Sequence, residues 1–186
     1  MSLQNAIDSL KEEIQKAGIE QEKGLGEELF LFSSTLAPVV NVDLLIINEK
    51  KQILLSWRND PETGEGWHIP GTCIRFQETL QDAIQRCALT EIGTKVEYSK
   101  EPIKVYELHW KGHREGIADQ RERAHFITLC YACRLSNETE LLQQAEGRNG
   151  CLQWFNRLPD DLLAIQACYK NDWEELKRRF WNEMDK

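Results

Sequence analysis

Residues 70–93 read PGTCIRFQETLQDAIQRCALTEIG, a stretch in which a turn, a loop and a helix follow one another. Pro70 and Gly71 form the turn, and Gly93 stands where a helix ends in a left-handed cap. Apolar residues recur between them at helical spacing, which predicts a helix with one apolar face. Glu91 lies on that face, at the helix end where the macrodipole is negative. This carboxylate therefore requires a cationic partner or a metal ion.

The partner of Glu91 is not given by its own helix. Arg86 precedes it by five residues and points to a different side, where Glu78 and Asp82 lie nearer in angle. Glu91 is then free to face the loop that follows Gly71, whose carbonyl groups, together with the carboxylate, suit a hard cation such as Mg²⁺. The alternative is a purely structural carboxylate, held at the helix end by a lysine, by Arg86 or by water.

The overall composition and charge of the chain limit the classes of function that it can have. The chain has 186 residues, 41% of them hydrophobic and 29% charged, which fits one globular domain with a sizeable core. A net charge of −8 argues against nucleic acid or an anionic membrane as the main partner. Small anionic substrates stay open, because a divalent metal ion can invert the local field. We find neither an apolar run of about 18 residues nor a signal-peptide pattern, which predicts a cytoplasmic protein.

The six cysteines are irregularly spaced. Cys130 and Cys133 form a CxxC motif, but it lies within the strand-like run CYAC. Residues three apart on a strand point to opposite faces, whereas a zinc or redox pair usually lies on a turn. The sequence therefore predicts buried, reduced cysteines.

The remaining pattern predicts strands before and after the central helix, in a mixed sheet with helices on both faces. An amphipathic helix over 3–17 is expected to pack on the domain or on a second subunit. We expect an N-terminal helical extension over 1–35, a sheet domain over 36–158, and C-terminal helices over 159–186 that pack on the same domain. Turn-rich loops are predicted over 59–66 and, with many charges, over 111–124. Strands are predicted in the segments VVNVDLLIINEKKQILLSWR, WHIPG, IKVYELHW, HFITLCYACRL and CLQWF. A half-turn of helix is expected in ETELLQQAEGRNG. Near the C-terminus a stripe at helical spacing is expected to face the core, formed by Trp173, Leu176, Phe180 and Met184.

Gly71, Glu78, Arg86, Glu91 and Gly93 together resemble the Nudix box, the signature of hydrolases that act on nucleoside diphosphates linked to another group. The resemblance spans about residues 39–155. It implies an α/β/α sandwich with a mixed β-sheet, here with added N-terminal and C-terminal helices. It also implies a Mg²⁺ cofactor, with Mn²⁺ as an alternative.

The box departs from the usual pattern in two respects. Cys87 and Thr90 stand where two of the three helix carboxylates are expected, and one extra residue separates Gly71 from Glu78. These departures are similar to those of one branch, the GDP-mannose mannosyl hydrolases, which cleave at the sugar carbon rather than at phosphorus. Attack at carbon would need fewer metal ions, which suits a box with one remaining carboxylate.

The resemblance implies a role for individual residues. The carbonyl of Gly71 and the carboxylate of Glu91 would bind the metal ion. Arg58 would stabilise the departing diphosphate, a task that suits a bidentate guanidinium. Asp43 would lie near the substrate. Arg86 would either contact phosphate or orient acidic groups by pairing with Glu78.

The sequence does not decide which residue is the general base. The mannosyl hydrolase branch has Gln-His in the late loop, where this chain has Arg148 and Asn149, and asparagine does not accept a proton at neutral pH. Glu146 is the nearest ionisable residue. His109 and His113 are further candidates because imidazole titrates near neutrality.

Three functions therefore remain. The first is a Mg²⁺-dependent hydrolase of a nucleoside diphosphate derivative, such as a nucleotide sugar like GDP-mannose. The second is a catalytically inactive module that retains nucleotide binding, to which Cys87, Thr90 and Asn149 point. The third is a scaffold or regulatory homodimer that uses the acidic helical ends outside the core.

Overall fold

The computed structural model describes residues 2–60, 63–109, 125–137 and 141–185. Its elements are α1 (Leu3–Lys16), α2 (Glu27–Ser34), β1 (Val39–Ile46), β2 (Ile53–Asp60), β3 (Gly64–His68), β4 (Gly71–Cys73), α3 (Leu80–Cys87), β5 (Val96–Tyr98), β6 (Lys104–His109), β7 (His125–Leu135), β8 (Leu152–Phe155) and α4 (Cys168–Met184). A short π-helical turn, Ala88–Ile92, extends α3.

The strands form two sheets. In the larger, mixed sheet β1 runs parallel to β7 and antiparallel to β4, and β5 and β6 both pair antiparallel with β7. The smaller, antiparallel sheet has the order β3-β2-β8. The predicted mixed sheet is thereby confirmed.

Two apolar clusters cover the two faces of this sheet layer. Ile84 and Cys87 of α3 pack with Leu44 of β1 on one face. Phe180 of α4 packs with Leu45 of β1 on the other, because neighbouring strand residues point to opposite faces. The layers are thus helix, sheets and helix, which confirms the predicted α/β/α sandwich.

The cysteine prediction is confirmed for four of the six residues, since Cys87, Cys130, Cys133 and Cys151 are buried, whereas Cys73 and Cys168 are partly exposed. Cys130 belongs to the α4 side of the core and Cys133 to the α3 side, and both are fully buried. All six cysteines are free. The CxxC motif therefore cannot form one metal or redox pair without disrupting β7.

The helix predicted from residues 70–93 is present, with a detail that the pattern did not give. The Thr79 hydroxyl caps its start by accepting a hydrogen bond from the Asp82 backbone N–H at 3.1 Å. At its end the chain widens into the π-helical turn, in which Gly93 N–H donates to Ala88 O at 2.9 Å. Gly93 adopts a φ of 95°, the left-handed conformation that favours glycine.

The C-terminal helix α4 buries the aromatic and aliphatic stripe that its spacing predicts. Trp173, Leu176 and Phe180 are buried in the core, and Met184 packs against it partly exposed. The stripe thus attaches α4 to the same core as β1, β2 and β7.

The N-terminal region differs more from expectation. Helix α1 forms, but none of its residues is buried in the single chain. Helix α2 lies within the helical extension predicted over 1–35, but the sequence analysis did not place a separate helix there. It starts after Gly26, with Glu27 and Glu28 in the first turn, where the macrodipole favours acidic side chains.

Three loop segments also differ from the prediction. Strand β2 continues to Asp60 and β3 starts at Gly64, so both ends of the loop predicted over 59–66 belong to an antiparallel pair of strands. Residues 71–73 pair with β1 as strand β4. Residues 141–145, expected to include a half-turn of helix, have no regular structure. The pairing partners decide these features, and the local pattern does not contain them.

Among the described residues, no helix combines the length and apolar character that crossing a membrane requires.

Candidate active site

A polar cleft of about 270 Å³ lies where β1, β2, β3, β4 and the π-helical turn converge. Its lining includes Asp43, Arg58, His68, Gly71 and Glu91. Four of these were predicted site residues that are far apart in sequence. The fold brings them to one place because β4 pairs with β1, which puts Gly71 opposite Asp43.

Glu91 faces this cleft from the π-helical turn, with its side chain 22% exposed. Its Oε1 atom accepts a hydrogen bond from Arg58 Nη2 at 3.3 Å, and its Oε2 atom lies 3.2 Å from His68 Nε2. Neither partner belongs to its own helix. The carboxylate that interrupts the apolar face of the helix therefore points at positively charged or polar groups of the sheet.

Arg58 reaches the cleft from β2 with its side chain 30% exposed. Besides Glu91, its Nε atom lies 3.7 Å from Asp60 Oδ2. Two carboxylates thus hold the guanidinium at the rim, and its partly exposed donors face the space that an anion would occupy.

A second cavity, of about 360 Å³, adjoins the first and shares Arg58, His68 and Glu91 with it. Thr90 and Asn149 contribute to its lining. The three shared residues therefore border both spaces.

Asp43 is the most deeply buried acid of the site, with 2% of its surface exposed. Asn41 Nδ2 donates to its Oδ1 at 2.9 Å, while Gln166 Nε2 and the Tyr169 hydroxyl donate to its Oδ2 at 3.1 and 2.8 Å. Burial, followed by the negative charge of Glu91 as a further cause, raises the pKa of Asp43 to about 7. The hydrogen bonds partly offset that rise.

Gly71 packs directly against this acid. A Cβ atom at this position would overlap with the Asp43 carboxylate and lie 3.0 Å from Val42 O. Only glycine permits the approach. The glycine of the Pro-Gly corner is thus required by space as well as by the turn.

Arg86 holds the loop between β4 and α3. Its Nε and Nη2 atoms donate to the two carboxylate oxygens of Glu78 at 2.6 and 2.9 Å. Nη1 donates to Thr72 Oγ1 at 3.0 Å and Nη2 also donates to Cys73 O at 2.9 Å. Of the two roles predicted for Arg86, the pairing with Glu78 is observed, and Arg86 is not among the residues that line the 270 Å³ cleft.

The two altered box positions do not face the cleft as acids would. Cys87 is fully buried in the core beneath α3. The Thr90 hydroxyl donates back to Arg86 O at 2.8 Å. Glu91 is therefore the one carboxylate that residues 80–93 direct into the cleft.

The residues proposed as general base lie outside the 270 Å³ cleft. His109 is exposed at the end of β6, on the opposite strand face from Leu108, which lines the cleft. Glu146 is exposed in the loop before β8. His113 lies outside the described residues.

Asn149 stands in the place of the histidine of the mannosyl hydrolase branch. Hydrogen bonds to the backbone of Asn59 hold its side chain. Its Oδ1 accepts from Asn59 N–H at 2.6 Å and its Nδ2 donates to Asn59 O at 3.1 Å. These bonds attach the late loop to the end of β2.

Three site residues were missed by the sequence analysis. His68 is 4% exposed, and its Nδ1 atom has no hydrogen-bond partner among the described residues. In the sequence His68 stands three residues before Gly71, and this nearness to a predicted metal ligand could have indicated it as a site residue. Gln166 and Tyr169 reach Asp43 from the C-terminal segment over more than 120 residues of chain, and no local pattern could have indicated them.

The fold and the cleft together define the class of this protein, an α/β/α sandwich with a polar cleft at a strand–loop–helix corner. The family model of the NUDIX domain matches residues 37–168, and the chain belongs to the Nudix hydrolase family. Members of this family act on nucleoside diphosphate derivatives and generally use a divalent cation such as Mg²⁺.

Solved structures share the fold. A MutT NUDIX hydrolase from Burkholderia pseudomallei aligns with a TM-score of 0.55 and 22% identity over 73% of this chain and 97% of its own. A protein described as a possible asymmetric diadenosine tetraphosphate hydrolase, from Jonesia denitrificans, aligns with a TM-score of 0.58 and 20% identity over 78% and 98%. At these identities the likeness concerns the fold.

One curated relative is more similar in sequence. The low-salt glycan biosynthesis protein Agl8 of Haloferax volcanii is 42% identical over 101 residues, which are 54% of this chain. The match spans 62% of the length of that relative.

Proposed function

We propose that this Nudix protein hydrolyses a nucleoside diphosphate-linked compound of the nucleotide-sugar class, with Mg²⁺ or Mn²⁺ as cofactor. The observation that carries the proposal is the convergence of Gly71, Glu91, Arg58 and Asp43 on one cleft. The sequence predicted Gly71 and Glu91 as metal ligands and Arg58 and Asp43 as substrate contacts, and one ligand can reach all four together.

The donor set fits a hard divalent cation. Glu91 contributes a carboxylate, and Gly71 contributes a carbonyl at a corner where no Cβ can be accommodated beside Asp43. Bound between them, Mg²⁺ would neutralise charge on the diphosphate oxygens. In the structure Glu91 instead forms a salt bridge with Arg58 and lies 3.2 Å from His68 Nε2.

The protein's own groups have distinct tasks in this proposal. Arg58 would pair with the departing diphosphate, because its guanidinium is partly exposed between the two cavities. Asp43, fixed by its hydrogen bonds, would orient the substrate beside Gly71. Arg86 and Glu78 would hold the loop that presents Gly71. The identity of the base stays a prediction. His109 lies on the strand face opposite the cleft, so Glu146 in the loop before β8 is the candidate that we retain.

Two observations favour a nucleotide sugar. The two adjoining cavities of about 270 and 360 Å³, which Arg58 borders, suit a ligand with two groups joined at a diphosphate. The Haloferax volcanii relative is named for glycan biosynthesis, a process that uses activated sugars.

The experiment is a turnover assay. The protein is incubated with a panel of nucleotide sugars and Mg²⁺, and the products are identified. Free sugar with a nucleoside diphosphate indicates cleavage between the sugar and the diphosphate, whereas a sugar phosphate with a nucleoside monophosphate indicates cleavage within the diphosphate. Glu91→Gln removes the carboxylate and should lower kcat by about 100-fold or more, since a metal ion supplies several kcal/mol of charge stabilisation. Glu65→Gln, an exposed carboxylate on β3, is the matched control.

The alternative is a Nudix module that binds nucleotides without turnover. The observation in its favour is Asn149, which is a non-basic side chain held in backbone hydrogen bonds. A rise in melting temperature with a nucleotide sugar, without any product, would support it. If neither the nucleotide sugar nor the metal ion shifts the melting temperature, both proposals fail, and the result favours a scaffold role.

A further inference from the structure

A second group of metal-ligating side chains lies outside the cleft. Glu107 and His109 are on β6 and His125 is on β7. His109 and His125 are directly opposite each other in the antiparallel ladder, and Glu107 is two residues before His109 on the same strand face. One potential ligand atom from each residue lies within 4.8 Å of the other two.

The distances suit a shared ion. His109 Nε2 and His125 Nε2 each lie 3.3 Å from Glu107 Oε1. Two ligands that bind one tetrahedral zinc ion at about 2.0–2.1 Å are roughly 3.3 Å apart. The two imidazole rings are stacked, with centroids 4.4 Å apart and planes inclined by 23°. The three groups thus already have most of the spacing that one cation requires.

Hydrogen bonding does not account for the arrangement fully. His125 Nε2 is buried and, among the described residues, has no hydrogen-bond partner, although Glu107 Oε1 lies 3.3 Å away. A buried ring nitrogen close to a carboxylate oxygen but not aligned with it lacks its usual compensation. A metal ion placed between the two atoms would be bound by both.

We propose that Glu107, His109 and His125 form a site for a transition-metal dication of the Zn²⁺ class. Two imidazole nitrogens and one carboxylate favour Zn²⁺, Co²⁺, Ni²⁺ or Cu²⁺ over Mg²⁺, which prefers oxygen ligands throughout. Side-chain exposures of 63% for Glu107, 57% for His109 and 34% for His125 leave room for a water molecule as fourth ligand.

The site is separate from the cleft, yet it bears on the cleft's geometry. The neighbouring residues Leu108 and Phe126 are paired across the same strands and line the cleft on the opposite face. A metal ion that joins His109 to His125 fixes the register of this pair. The ion therefore stabilises the pairing of β6 with β7.

The test is titration of the chelator-treated full chain with Zn²⁺ and, separately, with Co²⁺. We expect one equivalent of Zn²⁺ by calorimetry, a raised melting temperature, and a Co²⁺ spectrum without a thiolate charge-transfer band. His109→Ala, His125→Ala and Glu107→Gln should each weaken binding by about 100-fold or more, because even groups that only support ligands contribute about 10- to 100-fold. Circular dichroism of the metal-free variants verifies that they fold.

Two controls separate this site from others. Glu97→Gln removes an exposed carboxylate from β5, and Glu91→Gln removes the cleft carboxylate; both should retain Zn²⁺ binding. No uptake by the unaltered chain, equal uptake by the three ligand variants, or a thiolate band with Co²⁺ would each overturn the proposal. None of these results depends on turnover, so the hydrolase proposal is tested independently.

Discussion

Replacement of Asp43 by asparagine should change how the stability of the protein depends on pH. The carboxyl is 2% exposed, and burial raises its pKa from 3.8 to about 7. In the unfolded chain the same group ionises near its ordinary value. From about pH 4 to pH 7 the folded state therefore holds a proton that the unfolded state has lost. Since the folded pKa is raised, the stability contributed by Asp43 is complete below about pH 4 and is lost as the pH rises to 7.

The magnitude follows from the two pKa values. Within this window the contribution falls by about 1.4 kcal/mol per pH unit, and it levels off above pH 7. Between pH 5 and pH 8 the unfolding free energy of the native chain should fall by about 2.6 kcal/mol relative to that of Asp43→Asn. A constant offset of about 1–3 kcal/mol is expected as well, because the amide of asparagine cannot accept every hydrogen bond that Asn41, Gln166 and Tyr169 donate.

The assay is urea denaturation of both proteins at pH 5, 6, 7 and 8 in the presence of EDTA, which keeps cations out of the cleft. The offset is the same at each pH, so the change with pH isolates the ionisation of Asp43. Asp160→Asn, which removes an exposed aspartate, controls for the loss of one negative charge. Parallel profiles for the native chain and Asp43→Asn would refute the assignment of a raised pKa to this buried carboxyl.

Two further predictions concern the loop that carries the Pro-Gly corner. Gly71→Ala should destabilise the protein by about 1–3 kcal/mol, because the added Cβ overlaps with the Asp43 carboxylate. In a double-mutant cycle with Asp43→Ala, much of this loss should disappear, because the carboxylate is then absent. Arg86→Ala should cost about 3 kcal/mol in urea denaturation at pH 7, because the Glu78 carboxylate, with its side chain 10% exposed, loses its salt bridge and keeps the hydrogen bond from the Arg75 backbone N–H. Arg75→Ala, in the same loop, should stay within about 0.5 kcal/mol, and an equal loss in both variants would contradict the role given to Arg86.

The elements that short-range patterns describe were predictable. The apolar spacing of residues 80–92 and the glycine at 93 indicated α3 and its end, and the stripe from Trp173 to Met184 indicated the packed face of α4. The same reasoning identified Glu91 as a carboxylate that its own helix could not neutralise. These features depend on residues three or four apart, whose relative directions the backbone geometry determines.

The partners of those residues were decided by tertiary structure. His68 meets Glu91, and Tyr169 meets Asp43, through strand register and the course of the C-terminal segment, over 23 and 126 residues of chain. The same register pairs His109 with His125 on the strand face opposite the cleft, although the sequence alone suggested His109 as a base. Periodicity specifies which face of an element is apolar, but it does not specify which element lies against that face. The long-range contacts that assemble the cleft therefore had to be read from the fold.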